Sequence, residues 1–149
     1  MPKKEMAADI AANLMTRTRD ALMARDFDAF IACFHLPVTV ETVDGRQEVR
    51  NRAEARTVFD GLVSAFDAQN LTWSDRRLAQ TDVISDARIE FVYLAQNFRG
   101  RDPVGERYPN FCQTRRIGEE WRITYSMHAV PVAFKHRDAL LGAGTPLPA

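Results

Sequence analysis

From Leu71 to Val130 the chain keeps the two-residue alternation of extended strands almost without a break, while helical spacing is confined to the residues before it. This order constrains the fold more than any other feature. A parallel sheet needs crossover helices between its strands, and here long strands follow one another directly. Helices first and consecutive strands afterwards predict an α+β domain with a mostly antiparallel sheet.

Within the strand-rich half, Leu71–Val83 loses its alternation near Arg76–Arg77, which predicts a bulge there. Ala87–Phe98 sets Ile89, Phe91, Tyr93 and Ala95 against Glu90, Val92, Leu94 and Gln96. Both rows carry apolar residues, so both faces of this strand are expected to be covered. Arg99–Gly105 reads as a loop, Arg107–Ile117 as a strand, and Gly118–Glu120 as a turn. In the last strand, Trp121–Val130, the residues Trp121, Ile123, Tyr125 and Met127 share one face. Arg122, Thr124, Ser126 and His128 share the other.

The first half reads as three helices and a hairpin. Ile10, Leu14, Thr18 and Leu22 make one stripe on a helix over Ala7–Ala24. Thr18 lies inside that stripe. Its hydroxyl either faces a hollow or bonds back to a carbonyl one turn earlier, and the second reading carries more weight. Asp26 can cap a second helix bearing Phe27, Phe30, Ile31 and Phe34, with Pro37 as its stop. Val38–Val43 and Arg46–Val49 flank Asp44-Gly45, a hairpin signal. Asn51 with Glu54 forms a variant capping box. It opens a helix whose Ala55, Val58, Phe59, Leu62, Val63 and Phe66 must pack on a sheet. Phe134–Leu141 could form a short helix, and Gly142–Ala149 reads as a loose tail.

The 149 residues suit a single domain, with a core over about 7–130 and a C-terminal extension over 131–149. Lys and Arg number 20, as do Asp and Glu, so no net positive field favours nucleic acid. Cys33 and Cys112 read as buried free thiols of a reducing compartment. The charged start lacks an apolar run and no membrane-length apolar stretch occurs, so a cytoplasmic location without membrane attachment is expected.

Four segments resemble the SnoaL-like branch of the nuclear transport factor 2-like superfamily, the cystatin-like α+β cone. They are LMARDFDAFIACF at Leu22–Phe34, VTVETVDG at Val38–Gly45, NRAEARTVFDGLVSAF at Asn51–Phe66 and RRIGEEWRITYS at Arg115–Ser126. The resemblance implies N-terminal helices packed in the concavity of a strongly curved sheet, with a hollow at one end. That superfamily includes cyclases, isomerases, dehydratases, hydrolases and many proteins with no known activity, so the resemblance implies the fold more than a reaction. The steroid isomerases of this superfamily carry a tyrosine and two aspartates at positions that match Thr18, Thr42 and about Gln113. Threonine cannot abstract a proton near neutral pH, so that mechanism is not expected here. Gln113 could still donate a hydrogen bond.

Other chemistry is thinly represented. The cysteines read as inert core residues. His35, His128 and His136 are scattered, so no metal is expected, and no glycine-rich phosphate loop calls for a cofactor. His128, Tyr93 and Gln113 are the weak catalytic candidates. Thr18, Thr42, Tyr93, Gln113 and Tyr125 are the ligand-binding ones. His128 has the opposite parity to Trp121 and Tyr125, so both sets face inward only if a bulge intervenes. If the Trp121 face is concave without a bulge, His128 lies outside, at a subunit interface, and this structural reading outweighs the catalytic one. Glu41 and Glu90 read as cross-strand surface partners.

Two functions are therefore expected in competition. One is a pocket for a small apolar or carbonyl-containing molecule, with isomerase, cyclase or dehydratase chemistry in reach. The other is a non-catalytic homodimer formed through the sheet, suggested by the second apolar row at Val92 and Leu94.

Overall fold

The computed structural model describes residues 2–130, 136–142 and 145–146. Helix α1 spans Lys4–Ala24 and buries Ala7, Ala11, Leu14, Met15, Thr18, Ala21 and Leu22 on one face. Arg25 ends it in the left-handed region at φ 57°. The Arg25 and Asp26 amides then close the last turn on the Leu22 and Ala21 carbonyls at 3.2 and 2.8 Å. Asp26 caps α2, Phe27–Ile31, by accepting from the Ala29 amide at 3.1 Å.

The second helix is shorter than its spacing predicted. Phe34 begins strand β1, Phe34–Thr42, so Pro37 lies inside a strand and does not stop the helix. Pro37 follows a cis peptide bond. It sits where pairing with the last long strand lapses between Phe34 and Thr39, so no ladder donor is missed. Strand β2, Gly45–Val49, completes the hairpin. The Asn51 side chain caps α3, Arg52–Ala68, accepting from the Glu54 amide at 2.9 Å. Glu54 reaches past the cap to the Arg50 amide at 2.8 Å, a displaced form of the reciprocal bond.

The second half is strand throughout: β3 Trp73–Ser85, β4 Arg88–Arg99, β5 Asp102–Ile117 and β6 Glu120–His128. The loop expected over Arg99–Gly105 is a tight turn instead, with Arg99 paired to Asp102 and Gly100 at φ 61°. A short helix α4, His136–Leu140, lies within the range read for one. A two-residue strand β7, Thr145–Pro146, adds to β2, so part of the segment read as a tail is paired. The rest of that tail lies outside the described residues.

The sheet order is β3-β4-β5-β6-β1-β2-β7, antiparallel except where β1 meets β6. Register shifts interrupt the ladders at Leu78/Gln80, Ala95/Asn97 and Gln113/Thr114. Each adds local bend and twist, and the sheet curves strongly around the helices. The first shift lies just past the expected bulge at Arg76–Arg77. The helices fill most of the concavity, burying Leu14, Phe59, Leu62 and Phe66 against Phe91, Tyr93 and Ile123. Trp73 stays outside this core at 42% exposure, with the Arg19 guanidinium 4.2 Å above its ring.

Candidate functional site

The concave face does not close completely over the helices. It leaves a cavity of about 110 Å³ walled by α1, α2, α3 and the inward rows of β1, β3, β4, β5 and β6. Most of the wall is apolar, from residues such as Leu22, Val38, Val40, Val58 and Leu62. Engineered apolar cavities of about 150 Å³ admit benzene, so the hollow is sized for a molecule of about one ring. A larger depression, about 320 Å³, lies between the start of α1 and the start of β6. It is a surface groove edged by exposed Met6, Asp9, Arg17 and Glu120. The interior hollow has the enclosure and the convergent polar groups of a ligand site, and the groove has neither.

The last strand shows how the polar groups reach the cavity. Opposite β5, Tyr125 pairs with Gln113, but the next pair is Ile123 with Thr114, so Thr124 is an extra residue. This bulge overturns the expectation that His128 lies outside at a subunit interface. It reverses the parity, so Ile123, Ser126 and His128 all line the hollow while Tyr125 does not.

Ser126 and His128 then stand two residues apart on one face. Nδ1 of His128 lies 2.7 Å from Oδ1 of Asn110, and Nε2 lies 3.0 Å from Oγ of Ser126. The Asn110 oxygen can only accept, so the neutral ring carries its proton on Nδ1. Nε2 is then the acceptor for the Ser126 hydroxyl. The Asn110 amide nitrogen donates to the Tyr108 carbonyl at 3.3 Å, which fixes the orientation of the amide. Ser126 is 3% and Asn110 2% exposed. Such a chain, hydroxyl to imidazole to amide, lets the histidine take a proton from the hydroxyl or from a ligand in the hydroxyl's place.

Arg76 enters from β3. Its Nη1 donates to Oγ1 of Thr18 at 2.7 Å and to the Met15 carbonyl at 3.2 Å, and its guanidinium lies 5.3 Å from the Tyr93 ring centre. No Asp or Glu lines the cavity among the described residues. Burial pushes the Tyr93 hydroxyl well above its ordinary range and the Cys112 thiol up to about 12, with the Arg76 charge pulling both the other way. Burial likewise raises Cys33, so the two thiols stay protonated near neutrality.

The expected site residues divide in two. Thr18, Tyr93 and His128 come together on the cavity wall. Thr18 also donates to the Leu14 carbonyl at 2.9 Å, the back-bond expected of a mid-helix threonine. Thr42 is buried but lies beyond the lining, where its hydroxyl accepts from the Asp44 amide at 3.1 Å. Gln113 and Tyr125 lie on the outer face: Gln113 donates to Glu90 at 3.0 Å and Tyr125 to Glu41 at 3.0 Å. Neither reaches the hollow: the Thr124 bulge leaves Tyr125 outward on β6, and Gln113 falls between the inward Cys112 and Thr114 on β5. Arg76, Asn110 and Ser126 were not singled out from the sequence. The i, i+2 spacing of Ser126 and His128 was a usable signal for one of them.

Among the described residues no three His, Cys, Asp or Glu side chains gather as metal ligands, and no helix is long and apolar enough to cross a membrane.

No family model matches the sequence, and no curated protein does. Solved structures do match in shape. An NTF-2-like protein of unknown function from Shewanella oneidensis MR-1 is similar over 84% of this chain and all of its own, with TM-score 0.62 and 13% identity. A protein of unknown function with a cystatin-like fold from Nostoc punctiforme covers 90% of this chain and 98% of its own, with TM-score 0.68 and 13% identity. A ketosteroid isomerase-like protein from Erwinia carotovora atroseptica covers 87% of this chain and all of its own, with TM-score 0.61 and 15% identity. Identities this low speak for the fold and not for a shared activity. The chain has the cystatin-like α+β fold of these structures.

Proposed function

We propose that the chain is a small-molecule pocket protein that takes an apolar, carbonyl-containing compound into the concavity of its sheet. Isomerase, cyclase or dehydratase chemistry would rest on His128. One observation carries this reading: a largely apolar cavity has a hydrogen-bonded Ser126–His128–Asn110 chain in its wall, the histidine held in a single tautomer. An imidazole is the side chain best matched to moving a proton next to a carbonyl near neutral pH. Within its superfamily we assign the chain to the SnoaL-like branch, on the four sequence segments quoted above. The two buried free thiols suit a reducing compartment, and we place the protein in the cytoplasm.

A thermal-shift screen of one-ring ketones, aldehydes, esters and acids tests the pocket. At least one class should raise the melting temperature of the native protein by several degrees, with the gain reduced in His128→Ala. A screen in which no such compound raises it contradicts the reading.

A second reading, a homodimer through the sheet, is favoured by the outer face. Val92, Phe111 and Met127 lie in one cross-strand row there, each half-buried, with Tyr125 edge-on to Phe111 at 6.1 Å. A second copy would cover this row. Sedimentation at micromolar concentration should give a dimer that Phe111→Glu converts to monomer. A monomer for the native chain rules the dimer out.

A further inference from the structure

The cavity wall contains one permanently charged side chain, Arg76, among the described residues, and no acid faces it there. Among the described residues Arg76 appears in no ion pair, whereas arginines such as Arg50, Arg56 and Arg122 do. Its hydrogen bonds are one-sided. Both run from Nη1, to the helix carbonyl of Met15 and the hydroxyl of Thr18. The Nε atom is fully buried and has no hydrogen-bond partner among the described residues. A buried guanidinium donor left unpaired is costly, and proteins rarely keep one without a use for it.

The bonds from Nη1 fix the plane of the guanidinium, and the Tyr93 ring lies against it at 5.3 Å. The Nε side of the fork is left over. The Nε–H and Nη2–H bonds are nearly parallel and match the two oxygens of a carboxylate. We propose that the compound bound in the cavity carries a carboxylate held by this edge of Arg76, its apolar body lying against Leu22, Val38, Val58 and Leu62. This proposal rests on the pocket reading and narrows it to small hydrophobic carboxylic acids. A phosphate ester is disfavoured because a dianion would meet a single cation and an otherwise apolar wall.

The arrangement also accounts for Thr18. Its hydroxyl gives its proton to the Leu14 carbonyl and offers a lone pair to Arg76, so a threonine in an apolar stripe serves as the hinge pin of the guanidinium.

Calorimetric titration at pH 7 with phenylacetate, hexanoate and their primary amides tests the proposal. The acids should bind the native protein about tenfold or more tighter than the amides, the scale expected of a charge-assisted hydrogen bond. In Arg76→Met the acids should fall to the level of the amides while amide binding persists. Equal affinity of acids and amides for the native protein overturns the carboxylate assignment and leaves the pocket standing. No binding of either class overturns both. Should Arg76→Met not fold, the Nε–H resonance of Arg76 in the ¹⁵N-labelled native protein decides. Phenylacetate should move it and phenylacetamide should not, and a resonance indifferent to both overturns the assignment.

Discussion

At the scale of single residues, the interior is governed by groups that burial keeps neutral around one that stays charged. Cys112 illustrates the consequence for stability. Its thiol is pushed by burial from an ordinary 9.0 to about 12 in the folded protein. A raised folded-state value stabilises the fold fully below the unfolded value and loses that stabilisation as pH climbs from 9 toward 12. The unfolded chain releases the thiol proton first, and stability should fall by about 1.4 kcal/mol per pH unit per such group. Tyr93 adds its own loss above its ordinary 10.0. Urea unfolding at pH 9 to 10 should therefore show a steep alkaline decline that Cys112→Val flattens. An unchanged slope would mean that Cys112 is not held protonated by the core. The residue type already read as a buried thiol, and the pairing of Cys112 with Phe91 and Ser126 places it on the inward row of β5.

At the scale of elements, capping was legible and bulges were legible only in part: the one near Arg76–Arg77 was marked by lost alternation, the one at Thr124 was not. Asn51 and Glu54 mark the start of α3 in the sequence, and the structure closes that turn through the Asn51 side chain. Asn51→Ala should cost about 1 kcal/mol in chemical denaturation. A loss below about 0.3 kcal/mol would show that Glu54 and Arg50 hold the helix start unaided. The strands were legible as strands, but their facing was not. Side-chain parity is conserved along a strand only until an extra residue enters, and Thr124 carries no sequence mark of being that residue. Its insertion sends Ser126 and His128 inward and leaves Tyr125 outside, while Gln113 faces outward by the alternation of β5. The shift at Leu78/Gln80 lies just beyond Arg76, whose inward direction was equally hidden. Pro37 misled for a related reason: it interrupts a helix in most contexts, yet a gap in the β1–β6 ladder gives it a place in a strand.

At the scale of the whole molecule, the order of elements announced the α+β class, because that order follows from periodicity and capping over long segments, and the resemblance of four segments implied the cone and its concavity. The lining of the concavity did not follow, since it depends on where each of four long strands breaks register. The resulting molecule has two apolar faces with different fates. The inner face surrounds a cavity with few polar groups, and the outer face carries the row Val92, Phe111 and Met127. The proposed ligand and the proposed second copy would lie on opposite sides of one sheet, and one measurement can separate them. Methyl-labelled protein, titrated with phenylacetate and followed by NMR, should show shifts at Val38, Val40, Val58 and Leu62 on the cavity wall. Val92 and Leu94 on the outer face should stay silent. Shifts confined to Val92 and Leu94, or no methyl shifts at saturating ligand, would contradict a ligand site within the cone.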